Sequence, residues 1–271
     1  MIHQQLIFLS VEGIHGNEEL THAAGHSIER GYDGIEFEIE ADSATKTPFG
    51  PEKFACIAAV NCPSIILEDA TRVVSDLIHR AGEYCASFLT LRLPPLREFR
   101  RETKTREENA HANRLSKWSA RTNGIVGTPT RMERGGLAEF EHYADALNFA
   151  DGLLSGVRFE AEQVGIPVAI MAGAGGCLFS PVEVRELLDR THTWAVGVCL
   201  DQDLLTGMGR VDDWLDALGH RVLCVRLSGG KALEEATALN VKGYRGPIVV
   251  DGEVDAKRLR SALQETGSGI Y

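Results

Sequence analysis

The amino-acid sequence predicts an α/β fold: one (β/α)8 TIM barrel, in which a closed parallel sheet is surrounded by an outer ring of helices. Apolar, β-branched runs alternate with amphipathic stretches along most of the 271 residues, which is the pattern of repeated β/α units. The strand-like runs are apolar throughout, as expected for a parallel sheet covered on both faces. About eight such units in a chain of this length favour a closed barrel. No G-x-G-x-x-G follows the first strand, which disfavours a dinucleotide-binding sheet.

The first half of the chain predicts four strands. Residues 6–11 predict the first strand, and 17–31 a helix with Asn17 as N-cap and Gly31 after its end. The alternation in 33–40 places Ile35 and Phe37 toward the helices and leaves Glu36 on the opposite face. Residues 51–60 are compatible with a short helix and 62–68 with the third strand. A helix over 69–85 and a fourth strand over 87–93 follow.

The second half alternates more regularly. Ser180, Pro181 and Glu183 have the residue types of an N-cap, a first helical position and a capping box. The pattern predicts helices over 137–165, 180–191, 211–219, 231–240 and 255–264, and strands over 166–173, 195–201, 221–229 and 246–253.

One segment interrupts the alternation, so we expect a single domain over 1–271 with a basic insertion at 97–136 after strand four. The segment carries ten Lys or Arg against five Glu, a net charge of +5, and is longer than an ordinary βα loop. It leaves the fourth strand at the end where barrels carry their active sites. A solvated, partly helical excursion and a basic lid over an anionic substrate are both compatible with it.

The overall composition limits the partners. A net charge of −11 would repel nucleic acid and anionic membrane surfaces, so neither is expected. No apolar run approaches the roughly 20 residues that span a bilayer, and the first residues lack the features of a signal peptide. The six cysteines form no C-x-x-C pair and are expected to be reduced. These observations predict a cytoplasmic protein.

Several runs carry a resemblance to a known family. They are ERGYDGIEFE (29–38), VRFEAEQVGIPVAIM (157–171), FSPVEVRELLDR (179–190), VGVCLDQDLLTGMG (196–209), HRVLCVRLSGG (220–230) and YRGPIVVDGE (244–253). Through these runs the chain resembles the sugar phosphate isomerase/epimerase group of xylose-isomerase-like TIM barrels, over most of its length outside 97–136. The resemblance implies a sugar or sugar-phosphate isomerase or epimerase, and the group also has an endonuclease branch.

The resemblance also implies a divalent metal at the barrel mouth, but the positions that would hold it are changed. Asp201 matches the acid that ends strand six, and Asp251 stands for the usual Glu on strand eight. Met171 replaces the acid of strand five, while Leu204 and Arg226 replace the two histidines. Two carboxylates and a thioether are a poor cage for a hard or borderline ion. We therefore expect a degenerate metal site and no metal cofactor.

Arg226 suggests what replaces the metal. If strands six, seven and eight are neighbours, Arg226 lies between Asp201 and Asp251 and could bridge them, so that its guanidinium supplies the missing cation. Asp201 and Asp251 end barrel strands, where general acids and bases are found. The alternative is a structural ion-pair network. On the catalytic interpretation, Asp201, Asp251 and Arg226 are the catalytic residues.

Glu36 and Glu38 form a second acidic pair on one face of strand two. Charged groups inside a barrel need partners, and Arg92, near the end of strand four, is one candidate. Structural pairing and substrate binding by Glu36 and Arg92 both stay open.

Gly229, Gly230 and Lys231 lie between strand seven and its helix. Backbone N–H groups at a helix start favour anions, and barrels often bind phosphate in this region. The three residues are therefore candidates for substrate binding, although an ordinary βα turn has the same composition.

Three functions compete. The first is a sugar or sugar-phosphate isomerase or epimerase that does not use the usual metal site. The second is a non-catalytic degenerate barrel that binds a small polar or anionic molecule, such as a sugar phosphate. The third is the endonuclease branch, whose chemistry needs several metal ions. The net negative charge of the chain also disfavours a nucleic-acid substrate. The sequence leaves a homo-oligomer open.

Overall fold

The computed structural model describes residues 5–11, 17–38, 55–61, 67–93, 142–173, 178, 180–205, 207–252 and 254–264. Within these residues, eight strands alternate with helices for most of the chain. The strands are β1 (Ile7–Val11), β2 (Gly34–Glu38), β3 (Ala55–Asn61), β4 (Ala86–Arg92), β5 (Val168–Ala172), β6 (Val196–Asp201), β7 (Val222–Ser228) and β8 (Ile248–Asp251). The helices are α1 (Asn17–Glu29), α2 (Leu67–Glu83), α3 (Tyr143–Val164), α4 (Pro181–Thr191), α5 (Val211–Leu218), α6 (Ala232–Val241) and α7 (Ala256–Gln264).

The strands close into a barrel in chain order. Each pairs in parallel with the next, and β8 pairs with β1 through Ile7 opposite Ile248 and Leu9 opposite Val250. The predicted (β/α)8 barrel is confirmed. The predicted insertion at 97–136 lies outside the described residues.

The third strand differs from the prediction. Residues 55–61 form β3, whereas the sequence suggested a helix there and a strand over 62–68. Alanine-rich runs have a high intrinsic helix propensity. Here the hydrogen bonds to both neighbours decide the conformation, because Ile57 lies opposite Glu36 of β2 and Val60 opposite Leu91 of β4.

Two apolar clusters fill the molecule, one on each side of the sheet. The larger contains Ile7, Leu9, Ile35 and Phe37 together with the buried faces of the helices. The smaller lies inside the barrel and consists of Phe8, Phe88, Ala169, Cys199, Cys224 and Val249. Because successive strand residues point to opposite faces, the members of the smaller cluster identify the inward positions of their strands.

The predicted signals at the start of α4 and after α1 and α3 are present, whereas Asn17, which was predicted as an N-cap, is the first residue of α1 itself. The Oγ of Ser180 accepts a hydrogen bond from the N–H of Glu183, and Pro181 opens α4. Gly31 and Gly165 follow the ends of α1 and α3 with φ values of 87° and 78°, the left-handed conformation that glycine adopts without a Cβ penalty.

The last helix is tied to the first β/α unit. Arg260 of α7 donates to Asp33 Oδ2 at 2.6 Å and to the carbonyl of Gly31 at 3.1 Å. The same Asp33 oxygen accepts the N–H of Ile7 at 2.8 Å. This ion pair fastens the outer ring where β8 meets β1.

Among the described residues, no helix combines the length and the apolar character that a membrane crossing requires.

Candidate functional site

Toward the carboxyl ends of the strands, the inward-facing side chains change from apolar to charged. Above Cys199 of β6 comes Asp201, and above Cys224 of β7 comes Arg226, the two lying directly opposite each other. Glu36 of β2 extends into the same layer. Since this end of a barrel carries the catalytic groups in enzymes of this architecture, the layer is the candidate active site.

Arg226 is the centre of the layer. One terminal nitrogen, Nη2, pairs with the carboxylate of Glu36, and the other, Nη1, donates to Ser10 Oγ at 3.3 Å. The Nε lies 3.6 Å from Asp201 Oδ2, in ion-pair range but too far for a hydrogen bond. That buried Nε has no hydrogen-bond partner among the described residues. The guanidinium therefore crosses the barrel interior from β7 to β1 and β2.

Glu36 is anchored from two sides. Its Oε1 accepts from Thr90 Oγ1 at 3.3 Å and its Oε2 accepts from Arg226. The residue is 1% exposed, so both oxygens belong to the floor of the site and face no solvent. The prediction that Glu36 points into the barrel is confirmed, but a direct contact of its carboxylate with substrate is not supported by this burial.

The two carboxylate oxygens of Asp201 have different contacts. Its Oδ1 accepts the N–H groups of Asp203 at 2.9 Å and Leu204 at 3.2 Å, in a turn typical of aspartate. Its Oδ2 faces Arg226. The backbone turn fixes the carboxylate so that one oxygen remains directed at the guanidinium.

The predicted bridge from Arg226 to Asp251 is wrong. In the β7–β8 register Arg226 lies opposite Val249, and Asp251 lies opposite Ser228, two residues nearer the mouth. Asp251 shares the inward parity of Val249 and is partly exposed. Its carboxylate takes part in none of the side-chain hydrogen bonds or ion pairs between described residues. The second acid is therefore an accessible carboxylate above the Arg226 layer.

The predicted pairing of Glu36 with Arg92 is also wrong. Glu36 is level with Thr90 of β4, two residues before Arg92, so the nearer cation is Arg226. Arg92 lies at the carboxyl end of β4, is partly buried, and has interactions of its own.

Sequence reasoning missed Ser10 and Thr90, although the signal was present. Each is a polar residue in an otherwise apolar buried strand, IFLSV and ASFLTLR, at the parity of an inward phenylalanine. A polar residue at such a position needs a hydrogen-bond partner inside the barrel, and Arg226 and Glu36 are those partners.

Two carboxylates share one guanidinium, and the pKa values reflect this. Burial raises the pKa of Glu36 above its usual range although Arg226 attracts the charged form. Burial likewise raises the pKa of Asp201 against the opposing effect of Arg226. Burial is the largest single effect and disfavours the charged form of Arg226, but the surrounding groups, Glu36 first and Asp201 after it, together outweigh burial and raise the pKa of the guanidinium. Arg226 is a permanent cation, and the two acids bind protons more readily than in water.

Two thiols lie below this layer. Cys199 and Cys224 lie opposite each other in β6 and β7 and are fully buried. Burial raises the pKa of the Cys224 thiol well above its usual range. The Cys224 thiol is therefore protonated, and both side chains fill space inside the barrel.

Ser228 connects the ends of two strands at the rim. Its Oγ donates to Asp203 Oδ1 at 2.7 Å, and its N–H donates to Gln202 Oε1 at 3.1 Å. The N–H of Gln202 in turn donates to the carbonyl of Arg226. These bonds hold the loop after β6 against β7.

Gly229, Gly230 and Lys231 form a 3-10 turn before α6, and all three are exposed. Gly229 has a φ of 42°. The first turn of α6 carries Glu234 and Glu235, whose negative charge offsets the attraction of the helix start for anions. The turn is placed at the mouth as predicted, and its role in phosphate binding stays a prediction.

The described residues do not fit the divalent metal that the resemblance implies. The guanidinium of Arg226 lies against Glu36 and 3.6 Å from Asp201, so an ion held by Asp201 would face a fixed positive charge. At the other two matched positions, Met171 has a soft thioether and Leu204 has no donor. In the part of the chain that the structure covers, no three His, Cys, Asp or Glu side chains are grouped to hold a metal.

Comparison with known proteins gives relatives only at the level of structure. Neither a protein-family model nor a curated protein sequence matches the chain. A solved L-ribulose 3-epimerase aligns with a TM-score of 0.63 and 11% identity, covering 98% of this chain and 88% of that chain. A 3-keto-D-glucoside 4-epimerase from E. coli gives a TM-score of 0.56 and 10% identity, with coverage of 96% and 97%.

An AP endonuclease of family 2 from Brucella melitensis aligns at a TM-score of 0.55 and 13% identity, covering 96% of this chain and 97% of that chain. At these identities the likeness concerns the fold, and it extends over nearly the whole chain. The chain has the (β/α)8 barrel fold of these solved structures.

Proposed function

We propose that this chain is a sugar or sugar-phosphate isomerase or epimerase that works without the divalent metal that the family resemblance implies. The observation that carries the proposal is the set of groups at the carboxyl end of the barrel: a carboxylate on β6 beside a permanent cation on β7, and a second carboxylate on β8 nearer the mouth. Two of the structural neighbours reported above are sugar epimerases, which favours this reaction class over others available to the fold.

The chemistry needs a base, an acid and a cation. A carboxylate removes the proton from the carbon next to a carbonyl, and the electron pair moves to the carbonyl oxygen to form an enediolate. A carboxylic acid then returns a proton, to the opposite face for an epimerase or to the neighbouring carbon for an isomerase. In the proposal Asp201 and Asp251 exchange the protons, and Arg226 stabilises the negative oxygen.

The two acids suit different steps. Burial raises the pKa of Asp201, which makes it a proton carrier closer to neutral pH. Asp251 is more accessible and is not engaged by described residues, so it can contact a bound sugar directly. No net oxidation occurs, and no further reactant is required.

A non-catalytic binding barrel is the second candidate, and one observation favours it. Asp201 already uses Oδ1 for two backbone N–H groups and directs Oδ2 at Arg226, as in a structural ion-pair network. In that case the mouth would bind a polar molecule through Asp251 and the Ser228 rim without transferring a proton.

Solvent-exchange NMR separates the two candidates. The protein, treated with EDTA, is incubated in D2O with a panel of ketoses and ketose phosphates, and deuterium incorporation next to the carbonyl is followed. The enzyme proposal expects exchange and a new epimer or isomer with at least one member, at a rate that EDTA leaves unchanged. Ligand-induced thermal stabilisation without exchange would support the binding barrel, and exchange that EDTA abolishes would contradict the metal-free mechanism.

A further inference from the structure

We infer that the Glu36–Arg226 ion pair excludes divalent metal from the barrel mouth, and that removing the guanidinium charge converts the same residues into a divalent-metal site. The inference deepens the metal-free part of the proposed function, but its test needs no substrate and no turnover. The family resemblance implies a divalent metal at this site, whereas the contacts of Arg226 place a fixed positive charge there.

The guanidinium occupies the centre of a preformed acidic cradle. Glu36 contacts it from β2, Asp201 faces it from β6, and Ser10 accepts from it on β1. A divalent ion held by either carboxylate would have to displace or tolerate a cation whose side chain is only 15% exposed. At such distances, in a medium of low dielectric, repulsion between like charges is strong.

Glu36 is the residue that keeps Arg226 in this position. Its Oε1 accepts a hydrogen bond from Thr90 at 3.3 Å, so the carboxylate has a second anchor that does not depend on the guanidinium. The contact with Asp201 is looser, since 3.6 Å separates Nε from Oδ2. Glu36 therefore acts as a positioning residue, and Asp201 as the second carboxylate that balances the shared charge.

Without the guanidinium the same cradle has the chemistry of a metal site. Glu36 and Asp201 would face each other as two buried carboxylates with no cation between them, an arrangement that is unfavourable unless a proton or a cation is taken up. A histidine at 226 adds an imidazole nitrogen, and Asp251 lies two residues further along β8 than the neighbour of Arg226. Carboxylate oxygens and an imidazole suit Mn²⁺ or Zn²⁺.

The experiment compares Arg226→His with the wild-type chain. Equilibrium dialysis with elemental analysis counts bound Mn²⁺, and thermal unfolding with and without millimolar MnCl2 measures the linked stabilisation. We expect close to one Mn²⁺ per Arg226→His chain with a Tm raised by several degrees, and neither effect in the wild type.

A matched control is available at the other end of the barrel. Arg260 also pairs with a partly buried aspartate, Asp33, and has a similar side-chain exposure of 19% against 15% for Arg226. Arg260→His should acquire no Mn²⁺ response. The double variant Arg226→His with Glu36→Gln should bind Mn²⁺ at least tenfold more weakly than Arg226→His, which a merely structural role of Glu36 would not produce.

Arg226→Gln repeats the test if Arg226→His does not fold, because the amide keeps a polar side chain of intermediate length while removing the charge. Binding of Mn²⁺ by the wild type that Asp201→Asn abolishes would overturn the inference. A folded Arg226→His or Arg226→Gln chain that binds no Mn²⁺ would overturn it as well. Neither result depends on sugar turnover, so failure here is distinct from failure of the proposed reaction.

Discussion

Arg226 on β7 pairs with Glu36 on β2, across the inside of the barrel and 190 positions away in the chain. An ion pair between adjacent strands would stabilise one strand contact. This pair instead links opposite parts of the closed sheet, with Thr90 and Ser10 completing the hydrogen bonds. The site therefore has a rigid charged floor that is built from four strands.

Replacing Arg226 by Met should be strongly destabilising. It leaves Glu36 and Asp201 buried without their cation, and breaking one side of a buried pair costs about 3–5 kcal/mol. Urea unfolding should give a loss of this size for Arg226→Met and a smaller one for Arg226→Met combined with Glu36→Gln. Arg72→Met, which removes an exposed pair with Asp76, should stay within about 1 kcal/mol of wild type. Equal losses for Arg226→Met and Arg72→Met would contradict the central role of the guanidinium.

Stability should decrease as pH rises through the folded pKa values of the two acids. Both pKa values are raised in the folded chain, from 4.5 for Glu36 and 3.8 for Asp201, so the native state binds protons more tightly than the unfolded state. This contribution is fully present below the unfolded pKa values and is lost above the folded ones. Urea unfolding across acidic to neutral pH should show a flatter profile for Glu36→Gln. Identical profiles would show that Glu36 does not contribute.

Asp201→Asn and Asp251→Asn should each lower kcat on any sugar found in the exchange screen. A positioned general acid or base contributes about 10²–10⁴-fold, so a loss of at least about 10²-fold is expected. Asp251→Asn should leave the Tm nearly unchanged, since no described residue pairs with this carboxylate. Asp216→Asn, in the outer pair with Lys242, serves as the control with wild-type kcat. Unaltered kcat in both site variants would remove these residues from the mechanism.

Gly173→Ala should be destabilising, because the residue after β5 has a φ of 134° and contacts the loop after β6. A Cβ at this position would lie 2.6 Å from the backbone oxygen of Leu204. Strain in such a conformation costs about 1–3 kcal/mol, before the loop moves. Gly152→Ala, in α3 with nothing within 4 Å of the added Cβ, should instead gain up to about 1 kcal/mol. Denaturant unfolding of both variants checks the contrast, and an unaffected Gly173→Ala would refute the close approach.

The barrel could be predicted from the sequence because its signals are local. Ser180 and Gly165 mark helix ends where the structure has them. The alternation in β2 also predicted that Glu36 faces inward. β3 could not be identified, since alanine-rich residues 55–61 have no strong strand propensity and owe their conformation to the neighbouring strands.

The sequence pattern does not determine which inward-facing side chains pair with each other inside the barrel. The strands of a closed barrel are staggered, and the stagger decides which inward residues are level. Knowledge of strand order alone suggested that Arg226 meets Asp251, whereas the register puts Asp251 opposite Ser228. The reach of Arg226 to Glu36 depends on the same stagger and on the length of the guanidinium side chain.

The pairing of β8 with β1 also has a consequence for synthesis. The edge of β1 that faces β8 meets its partners only when residues 248–250 exist, since the carbonyl of Leu6 accepts the N–H of Ile248. At about 5–20 residues per second, the ribosome takes on the order of ten seconds or more to reach them. Throughout that interval an apolar strand, which the finished barrel buries, presents an unpaired edge of the kind that pairs with strands of other chains. The first strand to be made is thus among the last to be protected.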